Sequence, residues 1–312
     1  MSLDLLERPE TAAAPEERPA ACWDYARAFS RNLGIVSETE QQQLRNSRVA
    51  IVGMGGVGGV HLMTLARLGI GRFTITDLDT FELANFNRQY GAKVDTLDRA
   101  KVEVMAEEVR RVNPDVQLRM LPDGVSERSI DRFLDGADLL IDGIDYFAID
   151  MRRKLYRAAA ARGIPAIMAG PVGCSAAWLV FTRDGMPFDR YFDLHESQTE
   201  LEQLAAFTVG LAPAALHFPY VDLSRVNIAE QYGPSVGLAC ELCAGVAGAE
   251  ALKLLLDRGD VRPVPTYAQF DAYRGKFRRR MLRGGNRHPL QQLKRWWLMR
   301  TVARMTANDP AS

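Results

Sequence analysis

The chain has 312 residues, 47% apolar and 25% charged, enough for one large or two modest domains with a real core. Thirty-nine basic residues balance thirty-nine acidic ones, which excludes a molecule steered as a whole toward nucleic acid or membrane. Four cysteines exclude a disulfide scaffold and suit a reducing cytosol. No stretch approaches the roughly 18 apolar residues of a membrane span, and the first residues lack the basic start and apolar run of a secretion signal. A soluble, cytoplasmic protein is expected. The even balance hides an asymmetry, since residues 272–312 carry eleven Lys and Arg against one acid, Asp309.

In chain order, residues 1–20 are rich in Ala, Pro and Glu and read as a disordered lead. Residues 21–45 form an N-terminal helical segment, interrupted at Gly34. Arg48–Val52 is a strand, and the glycines that follow open a helix to about Leu68. Phe73–Thr76 is a second strand, and a helix over 99–112 stops at Asn113-Pro114, because Pro disfavours helix in the residue before it. Strands at Val116–Met120 and Asp138–Ile141 flank a helix near 126–134. A helix over 147–162 leads into Ile164–Met168. This alternation predicts an α/β fold with a doubly wound, mainly parallel, Rossmann-like sheet.

Beyond Gly170 the pattern changes. Ser175–Thr182 reads as a strand, and residues 183–236 then carry few regular elements, as a long crossover loop would. Its aromatics, among them Phe188, Tyr191, Phe192, Phe207 and Phe218, suit either a grip on an extended peptide or packing on the protein itself. Gly237–Leu256 returns to helix, and Tyr267–Phe270 with Gly275–Leu282 form a closing hairpin that extends the sheet with antiparallel strands. The main domain is therefore placed at 46–285. Residues 286–312 form a basic amphipathic tail with Leu290, Leu293, Trp297 and Val302 among its cations. That pattern suits a membrane surface, RNA phosphates, an acidic partner or a cap on the acidic body.

The chemistry concentrates after the first strand. Gly53-Met-Gly55-Gly56-Val-Gly58 lets the backbone approach a phosphate at a helix N-terminus. Asp77, 24 residues after Gly53, stands where a carboxylate holds ribose hydroxyls. These features alone fit a NAD(P)- or FAD-dependent oxidoreductase as well as an ATP enzyme. Two further cations decide between them: Arg88, in Asn85-Phe-Asn-Arg88-Gln89, and Lys101, thirteen residues on. A dinucleotide has no use for both beside its pyrophosphate, whereas a triphosphate does. Asp145, in Asp142-Gly-Ile-Asp145, ends the fourth strand, where one carboxylate can hold Mg²⁺ with phosphates completing its shell.

These motifs resemble the ThiF/MoeB/HesA family, relatives of ubiquitin-activating enzymes, over about Phe29 to Leu282. The resemblance implies that a carboxylate attacks the α-phosphate of Mg-ATP to give an acyl-adenylate and pyrophosphate. It assigns Asp77 to the ribose, with Asp79, Gln89 and the glycines beside it in the ATP site. Arg88 and Lys101 fall to the phosphates, Asn85 to the reacting centre and Asp145 to magnesium. It also implies a homodimer in which an N-terminal arginine reaches the partner's nucleotide. The nearest match is Arg31, in Arg27-Ala-Phe-Ser-Arg31-Asn32.

The implied acceptor is the C-terminus of a ubiquitin-like sulfur carrier or of a peptide. A zinc-free branch of the family, which dehydrates a threonylcarbamoyl-modified adenosine in tRNA, is similar too. The family's zinc needs two Cys-x-x-Cys pairs, but this chain has one, Cys240-Glu-Leu-Cys243, so zinc is not expected. The crossover segment has no cysteine, which leaves Cys174, at the end of the fifth strand, as the candidate nucleophile.

Overall fold

The computed structural model describes residues 23–227, 230 and 232–307, so the expected disordered lead and residues 308–312 lie outside the described residues. The N-terminal segment forms α1 (Tyr25–Ala28), a 3-10 turn at Ser30–Asn32 and α2 (Glu38–Asn46). Helix α2 starts late because Ser37 and Glu40 form a capping box, which satisfies free amides on both sides of the helix start. Next come β1 (Arg48–Val52), α3 (Gly56–Arg67), β2 (Arg72–Thr76), α4 (Lys101–Val112), β3 (Gln117–Leu121), α5 (Ile130–Leu134), β4 (Leu139–Asp142), α6 (Ile149–Ala161) and β5 (Ala166–Val172). Helix α4 ends at the residue before Asn113, as the following proline requires.

The second half contains β6 (Ser175–Phe181), α7 (Phe188–Phe192), α8 (Glu200–Leu211), α9 (Gly237–Leu255), β7 (Thr266–Asp271), β8 (Lys276–Met281) and α10 (Pro289–Ala307). The expectation that residues 183–236 hold few regular elements needs correction. Helix α8 has 12 residues and starts on a Thr199–Glu202 capping box, a local signal that the length of the segment obscured. Phe188, Tyr191, Phe192 and Phe207 are buried with α6 and β6 residues in one core cluster, so these aromatics fix the segment to the sheet. No helix among the described residues is long and apolar enough to cross a membrane.

The eight strands run in the order β3-β2-β1-β4-β5-β6-β7-β8. Strands β1 to β5 pair in parallel, and β6 to β8 extend the sheet antiparallel. One core cluster lies under α3, α4 and α9, and the other under α5, α6, α7 and α8. The strand order reverses between β1 and β4, so their carboxyl ends frame the crevice where open α/β sheets bind ligands.

Candidate nucleotide site

At that crevice the backbone is crowded enough to require glycine. Gly53 has φ +84°, and a Cβ there would overlap the Gly143 carbonyl beyond β4. A Cβ on Gly58 would overlap the Gly53 carbonyl. The three glycines therefore clamp β1, α3 and β4 together at the switch point. Gly55 is the N-cap of α3 and supplies no side chain to its first amides, which leaves N–H donors and the positive helix end for an anion.

Asp77 follows β2 and faces this loop. Its Oδ2 accepts the Met54 amide at 2.5 Å and its Oδ1 the Asp79 amide at 2.8 Å. A carboxylate has about four acceptor sites, so both oxygens keep capacity for hydroxyl donors. Burial pushes the Asp77 carboxyl above its ordinary range, opposed by these amides and by Lys101. Lys101 opens α4, is nearly buried, and ion-pairs with Asp79 at 2.9 Å.

The Asn85–Gln89 segment closes the other side. Asn85 is buried and accepts the Glu82 amide through Oδ1, so its Nδ2 is the group free to donate to a ligand. Arg88 is half-buried. Its Nη1 donates to the Ala84 carbonyl at 2.8 Å and to Asn87 Oδ1 at 2.9 Å, and among the described residues no acid pairs with it. Its side-chain carbons lie 3.7 Å and 3.8 Å from the Cβ position of Gly56, which sets the cation over the glycine loop. Gln89 lies against Gly55, and its buried Oε1 has no hydrogen-bond partner among the described residues. An orphaned buried acceptor costs about 1–3 kcal/mol, so a donor from a ligand would relieve it. The start of α9 locks the segment, with Asn87 Nδ2 donating to the Ser235 carbonyl at 2.8 Å.

Asp145 stands beyond β4, exposed, with Oδ1 accepting the Phe147 amide at 2.9 Å. Arg152 of α6 holds this turn, a residue that sequence reasoning missed. Its Nη2 donates to the Ile144 and Asp145 carbonyls at 2.7 Å and 3.0 Å, and its Nε to Asp142 Oδ2 at 2.9 Å. Asp142 is therefore committed to Arg152 and Tyr156, and Asp145 keeps the free carboxylate oxygen. No sequence signal marks Arg152, because an arginine ten residues after a carboxylate is ordinary until the helix turns it inward.

Two expected site residues stand apart from this group. Arg31 is exposed, and its neighbour Asn32 donates to the Leu68 carbonyl at 3.2 Å. Leu68 caps the far end of α3, a 12-residue helix about 18 Å long, so Arg31 cannot reach the glycine loop of its own chain. Cys174 lies in the β5–β6 turn, two strands to the side of β1 and more than four residues beyond the level of the β1 end, since Val52, Asp142 and Met168 share one level. That is about 10 Å across the sheet and about 13 Å along it. Its amide donates to Tyr220 Oη at 2.7 Å, and Tyr220 in turn donates to Asp271 at 2.7 Å. His217 lies nearby, unforeseen, with Nδ1 against Gln269 Nε2 at 3.2 Å.

Cys240 and Cys243 are buried in α9. Burial pushes the Cys240 thiol up to about 11 and the Cys243 thiol well above its ordinary value. Among the described residues no three His, Cys, Asp or Glu side chains converge as a metal cluster.

A doubly wound sheet with a glycine-clamped switch point, an uncapped helix end, a carboxylate facing the loop and two cations beside it has the architecture of a nucleotide-binding α/β protein. The sequence profile of the ThiF family matches residues 29–292. The chain belongs to the ThiF family.

It is similar to the tRNA threonylcarbamoyladenosine dehydratase of Bacillus subtilis, with 34% identity over 140 residues, 45% of this chain and 54% of that one. It is also similar to the sulfur carrier protein ThiS adenylyltransferase of Escherichia coli, at 32% over 142 residues, 46% and 56% of the two chains. The chain thus spans about half the length of the curated relatives it matches. Among solved structures, E. coli MccB with ATP superposes with a TM-score of 0.60 at 18% identity, covering 83% of this chain and 71% of that one. That likeness extends to the fold.

Proposed function

We propose that the protein is an ATP- and Mg²⁺-dependent adenylyltransferase that activates the C-terminal carboxylate of a small ubiquitin-like or sulfur-carrier protein or of a peptide. The observation that carries this reading is the placement of Arg88, free of any acidic partner among the described residues, over the uncapped end of α3. An unpaired guanidinium there matches a polyphosphate better than a dinucleotide. The ATP-bound MccB structure and the ThiS adenylyltransferase support the same choice.

On this reading the α3 amides and Arg88 take phosphate oxygens, and Asp77 accepts the ribose hydroxyls. Lys101 exchanges Asp79 for a phosphate. Asp145 would hold magnesium through one carboxylate, with phosphates and waters as its other ligands; the metal would neutralise charge on the triphosphate. The acceptor carboxylate is ionised at neutral pH, so its oxygen attacks the α-phosphorus without a general base. The bond to the bridging oxygen breaks and pyrophosphate leaves, and the cations stabilise the charge that develops. Arg31, at the far end of α3, would serve the nucleotide of a second subunit in a homodimer. Cys174, on the β5–β6 turn at the same edge of the sheet, would serve as a later acyl acceptor.

Titration calorimetry with Mg-ATP, NAD⁺ and NADP⁺ tests this reading. Micromolar Mg-ATP binding that weakens about 10–100-fold in Arg88→Ala supports it. Tight NAD⁺ or NADP⁺ binding with no response to ATP overturns it. A second reading keeps the ATP site and makes modified tRNA the acceptor. It rests on the identity to the B. subtilis dehydratase, and salt-sensitive tRNA binding would favour it.

A further inference from the structure

Helix α10 carries an apolar stripe on its outer face. Its inward contacts are polar: Gln291 Nε2 donates to the Val209 carbonyl at 2.7 Å, Lys294 Nζ to the Pro213 carbonyl at 2.6 Å, and Arg295 faces Asp193 at 3.5 Å. Four of its apolar residues face solvent, whereas Leu298, Met299 and Val302 are half-buried. Leu290, Leu293, Trp296 and Trp297 are 61%, 59%, 53% and 44% exposed, and their spacing of three, three and one puts them on a single stripe. Arg300 continues the stripe with its guanidinium 4.8 Å from the centroid of the Trp296 ring. Phe218, also exposed, meets Trp297 edge-on at 5.5 Å.

The charge around the stripe identifies its occupant. It lies in the segment 272–312, where eleven cations face one acid, and the exposed Arg283 precedes it, while Arg287 is held by Asp193 at 2.9 Å. A second copy docked through this face would set Arg283 and Arg300 against their own images, with the nearby Asp193 already engaged by Arg287 and Arg295. An RNA would give Leu290 and Leu293 nothing to contact. An anionic lipid surface uses every part: leucines enter the acyl boundary, indoles sit at headgroup depth and arginines meet phosphates.

We infer that α10 is a peripheral membrane anchor that inserts the Leu290–Trp297 stripe into the headgroup region of an anionic bilayer and holds the catalytic body against it. This inference is independent of the proposed reaction.

The test is co-sedimentation of the full chain with vesicles of about 30% phosphatidylserine in phosphatidylcholine, against phosphatidylcholine alone. Expected is binding to the anionic vesicles with a blue shift of tryptophan emission. The double variant Trp296→Ser/Trp297→Ser should lose about tenfold or more in partitioning. Leu290→Asp/Leu293→Asp should reproduce that loss, which keeps the test sound if either variant folds poorly. No binding to anionic vesicles at low salt overturns the inference, as does equal binding by both variants. A dimer that the substitutions dissolve, or tRNA binding that they abolish, in the absence of vesicle binding, also overturns it.

Discussion

Arg152 and Asp142 form an ion pair at 2.9 Å with only 3% and 2% of their side chains exposed. The pair fastens α6 to the end of β4 and fixes the turn that presents Asp145. Removing the cation would leave a buried carboxylate whose remaining side-chain donor is Tyr156. Such a loss costs about 3–5 kcal/mol. Arg152→Ala should therefore lower the urea midpoint strongly, whereas Arg88→Ala, which loses two surface-side hydrogen bonds, should leave it nearly unchanged. Equal midpoints for Arg152→Ala and wild type would show that the pair contributes nothing.

The glycines separate by what surrounds them. Gly58→Ala should destabilise the protein and abolish Mg-ATP binding, because its Cβ would collide with backbone at the loop. Gly245 lies in the exposed interior of α9 with nothing within 4 Å of its Cβ position. Gly245→Ala should stabilise by about 0.5–1 kcal/mol through helix propensity alone. Paired thermal melts of the two variants read out the opposite signs.

His61 is fully buried on α3, and burial pushes its imidazole down to about 4. The unfolded chain takes this proton near pH 6.5, while the native protein refuses it until about pH 4. Stability is therefore lost as pH falls through that window, by about 3 kcal/mol in all. His61→Gln removes the titration, so the difference in unfolding free energy between variant and wild type should shift by that amount between pH 7 and pH 4. A constant difference would mean that His61 protonates freely in the native state.

Thiol reactivity follows exposure. Iodoacetamide at neutral pH should label Cys174, in the half-buried β5–β6 turn, well before Cys240 and Cys243, whose thiols are buried and pushed up. Peptide mass mapping after timed quenching gives the order. Early labelling of Cys240 would mean that the start of α9 opens away from the Asn85–Gln89 segment.

Much of the fold was legible because its signals are local. The strand at Arg48–Val52 is a run of apolar and β-branched residues, Pro114 stops α4 just before it, and the glycines of 53–58 announce a tight loop before a helix. The crossover segment was legible only in part. Its residues are buried against α6 and β6, a packing that no pattern within the segment announces, and the aromatics of α7 gave no period long enough to read.

Sequence alone picked out the groups proposed to handle a nucleotide, a glycine loop, Asp77, Arg88, Lys101 and Asp145 at fixed spacings after strands, together with membership of the ThiF family. Those spacings are informative because a strand followed by a helix returns the chain to the same sheet edge at each step. Tertiary structure alone decided which of two neighbouring carboxylates is free, since only packing shows that α6 delivers Arg152 to Asp142 and leaves Asp145 exposed. It also turned the apolar stripe of α10 outward. The helix spends its polar side chains on the carbonyls of Val209 and Pro213, and no residue pattern in one helix can say which of its faces a neighbour will take.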